Sequence, residues 1–132
     1  MKKFILILVA SLFSLVACSE NSNDVESAIK WLEIVDSGNY EQSWSQAAPF
    51  FQEQISAPKW TEALSQIRAP LSSVISRKVS SADPHESLPG VPDGNYVVIT
   101  LVTSFAKKET AIETITVSKT NNDWRTIGYF IK

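Results

Sequence analysis

Asn95-Tyr96-Val97-Val98-Ile99-Thr100-Leu101-Val102-Thr103-Ser104-Phe105-Ala106 is the stretch on which the fold turns. Val97, Ile99, Leu101 and Phe105 occupy alternate positions, the period of a strand with one buried face. The same alternation returns in Ala111, Ile115 and Val117 and again in Ile127, Tyr129 and Ile131, and upstream in Ile75 and Val79. It predicts strands near residues 73–81, 95–106, 110–119 and 124–131. Between the first two, residues 82–94 hold three prolines, Gly90 and an Asp93-Gly94 turn, so the sole histidine, His85, reads as an exposed loop residue rather than a ligand or base.

Side-chain parity sets the expected turns, because slipping a strand by one residue sends every side chain to the other face. Ile115 and Val117 share a face with Ile127, Tyr129 and Ile131 if the turn is the three residues Asn121-Asn122-Asp123. A three-residue loop Lys107-Lys108-Glu109 likewise puts Val97, Ile99, Leu101 and Phe105 on that face, with Thr103 and Glu113 as cross-strand neighbours.

The first half of the domain follows the helical period. Asn23 and Glu26 have capping-box spacing, after which Val25, Ala28, Leu32 and Val35 recur, widened by Trp31 and Ile34, until Gly38 offers a stop. A short helix is expected from Tyr40 to Ala47, ending before Pro49. Ser56-Ala57-Pro58 reads as a cap with proline in the first turn of a third helix, whose face is Trp60, Ala63, Leu64 and Ile67 as far as Pro70. The tryptophans read as core. Three helices covering one face of a four-stranded antiparallel sheet is an α+β architecture. Its element order resembles the cone-shaped rolls of nuclear transport factor two and ketosteroid isomerase, and the cystatin-like class.

The N-terminus carries a different signal. Met1-Lys2-Lys3 precedes the apolar run Phe4–Val16, broken only by Ser11 and Ser14. At ~1.5 Å per residue this run makes about 20 Å of helix, short of a hydrocarbon core of about 30 Å, so it reads as a secretory signal rather than a span. Leu15-Val16-Ala17-Cys18 matches the lipobox of bacterial lipoprotein precursors. The match implies cleavage after residue 17 and acylation of Cys18; Ser19 behind it implies the outer membrane of a Gram-negative cell, on its periplasmic face. The expected organisation is a signal over 1–17, a lipidated tether over 18–23 and one domain over 24–132. The tether reaches less than roughly 20 Å, so the domain would sit against the lipid. Cys18 is the chain's one cysteine, which leaves no intramolecular disulfide. Without Lys2 and Lys3 the balance is 10 basic against 14 acidic residues, a charge of −4, and no basic patch or motif points to nucleic acid.

A family resemblance covers residues 31–132. It is carried by Trp31-Leu32, Val35-Asp36-Ser37-Gly38-Asn39-Tyr40, Ser43-Trp44, Trp60 and Arg68-Ala69-Pro70-Leu71, then Ser76-Arg77-Lys78, Leu88-Pro89-Gly90-Val91-Pro92-Asp93-Gly94-Asn95-Tyr96 and Thr103-Ser104-Phe105. Glu113-Thr114, Trp124-Arg125 and Gly128-Tyr129-Phe130-Ile131 complete the set. In these the chain resembles the bacterial domain-of-unknown-function family 4019. It departs at Ser72, where that family favours glycine. The resemblance implies no established activity.

The usual catalytic signatures are missing from the sequence: no metal-spaced His or Cys cluster, no phosphate loop and no Ser-His-Asp set. No cofactor is expected. One constellation stands out. Arg77 has the parity of Ile75 and Val79, and Glu113 that of Ala111, Ile115 and Val117, so both charges point to the apolar face, where a charge needs a partner. Arg77, Thr103, Glu113 and Tyr129 are therefore the candidate ligand-binding residues; Arg125 shares the parity but reads as solvated. Either Arg77 and Glu113 form an ion pair that satisfies itself, or they and Tyr129 line a pocket for a small polar ligand. The leading expectation is a non-catalytic, membrane-anchored binding or accessory module that holds a protein or another envelope component close to the membrane. The alternative is a small-molecule binder or isomerase-like enzyme built around Glu113 and Arg77.

Overall fold

The computed structural model describes residues 23–132. The expected signal 1–17, Cys18 and tether residues 18–22 lie outside the described residues. Four helices come first: α1 Asn23–Asp36, α2 Tyr40–Ser45, α3 Pro49–Gln54 and α4 Ala57–Arg68, followed by a 3-10 turn over Ala69–Leu71. Four strands complete the chain: β1 Val74–His85, β2 Tyr96–Phe105, β3 Lys108–Thr120 and β4 Asp123–Ile131, forming one antiparallel meander in the order β1-β2-β3-β4.

Three helices were expected, and the described residues form four. Pro49, read as the end of the second helix, instead opens α3, where its missing N–H is no loss and its fixed φ suits the first turn. Ser56 caps α4 as expected, accepting from Lys59 N at 3.4 Å. Asn23 lies within α1 rather than ahead of it. The helix ends at Gly38, with φ +81°: Asn39 N donates to Ile34 O at 3.2 Å and Gly38 N to Val35 O at 3.0 Å, the double bond of a Schellman stop.

Both hairpins turn in two residues, not three, and β-bulges restore the parity that the extra residue was expected to supply. Phe105 pairs with Lys108 across Ala106-Lys107, and an irregularity between Thr103 and Phe105 then sets Thr103 opposite Ala111 and Leu101 opposite Glu113. Thr103 and Glu113 are thus diagonal neighbours. Thr120 pairs with Asp123 across Asn121 and Asn122, whose φ values of 50° and 67° suit a tight hairpin. The bulge in β4 falls at Ile127, so Thr126 faces inward beside Val117 in its place, while Tyr129 and Ile131 keep the expected face. β1 carries a bulge at Ile75, which swings to the surface at 67% exposure while Val74 and Arg77 face inward. β1 also runs beyond residue 81 to His85; an edge strand tolerates Pro84 because its outer N–H positions need no ladder partner. His85 is exposed, but at a strand end.

The core lies between the helices and the inner sheet face. Leu32 of α1, Leu64 of α4, and Ile99, Leu101, Ile115 and Val117 of the sheet are completely buried. Each such side chain contributes about 1.5–3 kcal/mol. Trp31 and Trp60 join them edgewise, Trp31 5.4 Å from Tyr129 and Trp60 4.9 Å from Phe51. Their indole N–H groups converge on Ser43 of α2, Trp31 Nε1 donating to its carbonyl at 2.8 Å and Trp60 Nε1 to its hydroxyl at 2.9 Å. This locks α2 between α1 and α4. Ile67, expected on the buried face of α4, is 46% exposed, and Arg68 takes the buried position instead.

Candidate functional site

Glu113 sits mid-strand in β3 with its side chain completely buried on the inner face. Burying a carboxylate there is tolerable only if donors replace its water. Four hydrogen bonds do so. Arg77 Nε donates to Oε1 at 2.7 Å and Arg77 Nη2 to Oε2 at 3.3 Å, Thr103 donates to Oε1, and the Tyr129 hydroxyl to Oε2. All four expected site residues therefore meet at one carboxylate, while Arg125 is exposed and pairs with Ser118 on the outer side.

Two further charges, not singled out from the sequence, extend the cluster into the helices. Arg77 Nη1 donates to Asp36 Oδ2 at 2.7 Å and its Nη2 to Oδ1 at 3.0 Å; Arg68 Nη2 donates to Oδ1 at 2.8 Å. Asp36 ends α1 and Arg68 ends α4. Both continue buried stripes at four-residue spacing, Asp36 after Ala28 and Leu32, Arg68 after Trp60 and Leu64, and that register is the signal by which they could have been found. The two guanidinium groups also stand at the C-terminal end of α1, where its dipole favours cations. Two arginines and two carboxylates leave the cluster neutral.

Its electrostatics follow from burial and pairing. Burial alone would raise the Asp36 carboxyl, but hydrogen bonds from Arg77 and Arg68, with their charges, outweigh it and hold Asp36 below the usual carboxylate range. Burial works against the Arg77 charge too, and its bonds to Asp36 and Glu113 overcome that, raising it above its ordinary value. Tyr129 is pushed up by burial first and then by the Glu113 charge, so its phenol keeps its proton. Arg68 lies 5.0 Å over the Phe105 ring, and its Nε and Nη1 are buried without a hydrogen-bond partner among the described residues.

The larger surface pockets lie away from these residues. A groove of about 640 Å³ opens at the far end of the sheet between Asp24, Pro84, His85, Asn95, Lys119 and Trp124. Among the described residues no group of three His, Cys, Asp or Glu side chains could hold a metal ion, and no helix is long and apolar enough to cross a membrane.

Residues 27–129 match the family DUF4019, described as a protein of unknown function. The chain belongs to the DUF4019 family. Helices on the inner face of a four-stranded meander also make this DUF4019 domain similar to a solved structure from Campylobacter jejuni, described as a candidate NTF2-like transpeptidase. The two share 13% identity with a TM-score of 0.57, over 80% of this chain and 97% of that one. At that identity the likeness establishes an NTF2-like α+β fold for the DUF4019 domain and nothing about its chemistry. No curated protein matches the chain.

Proposed function

We propose that this DUF4019 domain is a non-catalytic binding or accessory module of the bacterial cell envelope, anchored through a lipid on Cys18 to the periplasmic face of the outer membrane. The observation that carries the non-catalytic reading is the saturation of Glu113. A general base needs a lone pair aimed at its substrate, and here Arg77, Thr103 and Tyr129 occupy both carboxylate oxygens. Arg77 is held in turn by Asp36, so the cluster acts as a clasp between α1 and the sheet. Transpeptidation of the kind named for the Campylobacter jejuni protein needs an activated nucleophile. In this reading the one cysteine carries the lipid, and the one histidine stands at the exposed end of β1.

The lipobox Leu15-Val16-Ala17-Cys18 supports the anchor, and the partner is an envelope protein reached from the membrane surface. Feeding cells a clickable palmitate analogue tests the first part: the parent chain takes the label and Cys18→Ala does not, and equal labelling of both overturns the anchor. Photo-crosslinkers at the exposed helix positions Glu41 and Glu62 test the second. One defined envelope protein is the expected product; capture of lipid and bulk porins alone overturns it.

A single observation favours a second reading, a small-molecule binder or isomerase-like enzyme using Glu113 and Arg77. Nε and Nη1 of Arg68 have no hydrogen-bond partner among the described residues and could donate to a small carboxylate, although they are closed off from solvent, so the cluster would have to open to admit it. On that reading millimolar acetate or propionate raises the melting temperature of the parent chain and not of Arg68→Met; an unchanged parent sinks it.

A further inference from the structure

The outer face of the sheet carries exposed apolar side chains that no described element covers. The helices cover the inner face. On the outer face Val102 and Phe130 stand 41% and 51% exposed, with Ile112 and Val98 half-buried beside them. Solvated sheet faces are usually studded with charge. Here the outward positions on β2, β3 and β4 around Thr100 and Thr114 are hydroxyl or apolar, and the charges stand at the margins, Lys78 and Asp83 on the β1 rim and Lys132 just past the end of β4. An apolar centre with a polar rim is the anatomy of a protein interface.

Register identifies what fits it. One row across the sheet runs Thr100–Thr114–Phe130. The next row on one side is Lys78–Val102–Ile112–Lys132, and on the other Asp83–Val98–Thr116–Gly128. A two-fold axis along the central row lays β1 over β1 and β2 over β2 with the strands reversed. Each flanking row then faces the other: Lys78 meets Asp83, Val102 meets Val98, Ile112 meets Thr116, and Lys132 lies over the open space at Gly128. Phe130 meets Phe130. The face therefore sets unlike charges together at its β1 rim and apolar residues together at its centre, which is what an isologous dimer requires. Strands ~4.8 Å apart and ~3.4 Å per residue give a patch about 20 Å on a side, enough to bury on the order of 1,000 Å² over two copies, the lower bound for a specific interface.

We propose that the outer sheet face docks against the same face of a second copy of this chain, with the two-fold axis along Thr100–Thr114–Phe130. Residues on that axis meet themselves, and this makes the geometry testable in cells expressing the full chain. With Thr114→Cys, or independently Thr100→Cys, a short bis-maleimide yields a product of two chains, verified with two differently tagged copies. The parent chain and Glu62→Cys on α4 set the background. Adding Phe130→Asp to Thr114→Cys lowers the product at least about tenfold, the effect of ~1.4 kcal/mol. The proposal is overturned if both axis positions give only background, if Glu62→Cys crosslinks equally, if Phe130→Asp leaves the yield unchanged at matched abundance, or if the product contains a different protein.

Discussion

Arg77 Nη1 lies 2.7 Å from Asp36 Oδ2, although the two residues stand 41 positions apart in the chain. The contact joins the last residue of α1 to the edge strand of the sheet. Because Arg77 also holds Glu113, one guanidinium links a helix end to the sheet interior.

Breaking this clasp on one side leaves a buried charge alone. Arg77→Met is expected to lower unfolding free energy by about 3–5 kcal/mol, and Glu113→Leu by a similar amount. The double variant should lose clearly less than the sum, because it removes both desolvation costs. Urea unfolding of the four proteins measures the coupling; additive losses would show that the pair is energetically independent.

The acid limb of stability should carry the signature of Asp36. Its carboxyl is lowered in the folded state from an ordinary value of 3.8, so the unfolded chain binds the proton more readily. Its contribution is complete above about 3.8 and is lost as pH falls from there through the lower folded value. Asp36→Asn should be less stable at pH 7, and the gap should narrow between pH 4 and pH 2. A gap constant over that range would assign the acid loss to other groups.

Tyr129 works in the opposite direction. Its phenol is raised above an ordinary value of 10.0, so its contribution is complete below pH 10 and is lost as pH climbs from there toward the folded value. Tyr129→Phe should keep the T-shaped packing on Trp31 yet flatten the alkaline fall in stability, as followed by tryptophan fluorescence. It should also cost about 1–3 kcal/mol at neutral pH by removing a donor from the buried Glu113 carboxylate.

Ser72 holds φ 64° and ψ −148° after the 3-10 turn, a region that only glycine enters freely. Ser72→Gly should therefore raise stability by about 1 kcal/mol, some 4 °C in melting temperature for a domain of this size. A lower melting temperature would mean that the unfolded-state entropy of glycine outweighs the relieved strain.

Ser43 accepts both indole N–H groups that lock α2 in place. Ser43→Ala removes the acceptor of Trp60 but keeps the carbonyl that serves Trp31. The expected cost is about 1–3 kcal/mol, with a changed emission for Trp60 alone, read in Trp31→Phe and Trp60→Phe backgrounds.

Much of this architecture was legible because periodicity is a local property. Leu32, Leu64, Ile99 and Ile115 stand at helical or alternate spacing, and burial follows from that spacing. Parity also brought Arg77, Thr103, Glu113 and Tyr129 to one face. What parity cannot reveal is where a bulge falls. Ile75 and Ile127 each had the inward parity and each is displaced by a bulge, and both hairpins reached the right face with one turn residue fewer. Pro49 was ambiguous in the same way, since proline ends one helix as readily as it begins another.

From its residues alone, then, the chain determined its class, its two halves and the four side chains that gather at the inner face, because each depends on neighbours a few positions away. Only the tertiary structure decided that Asp36 and Arg68 complete the cluster. An ion pair spanning 32 or 41 residues exists only once the ends of α1 and α4 are packed against β1, and no local spacing encodes which helix ends will meet.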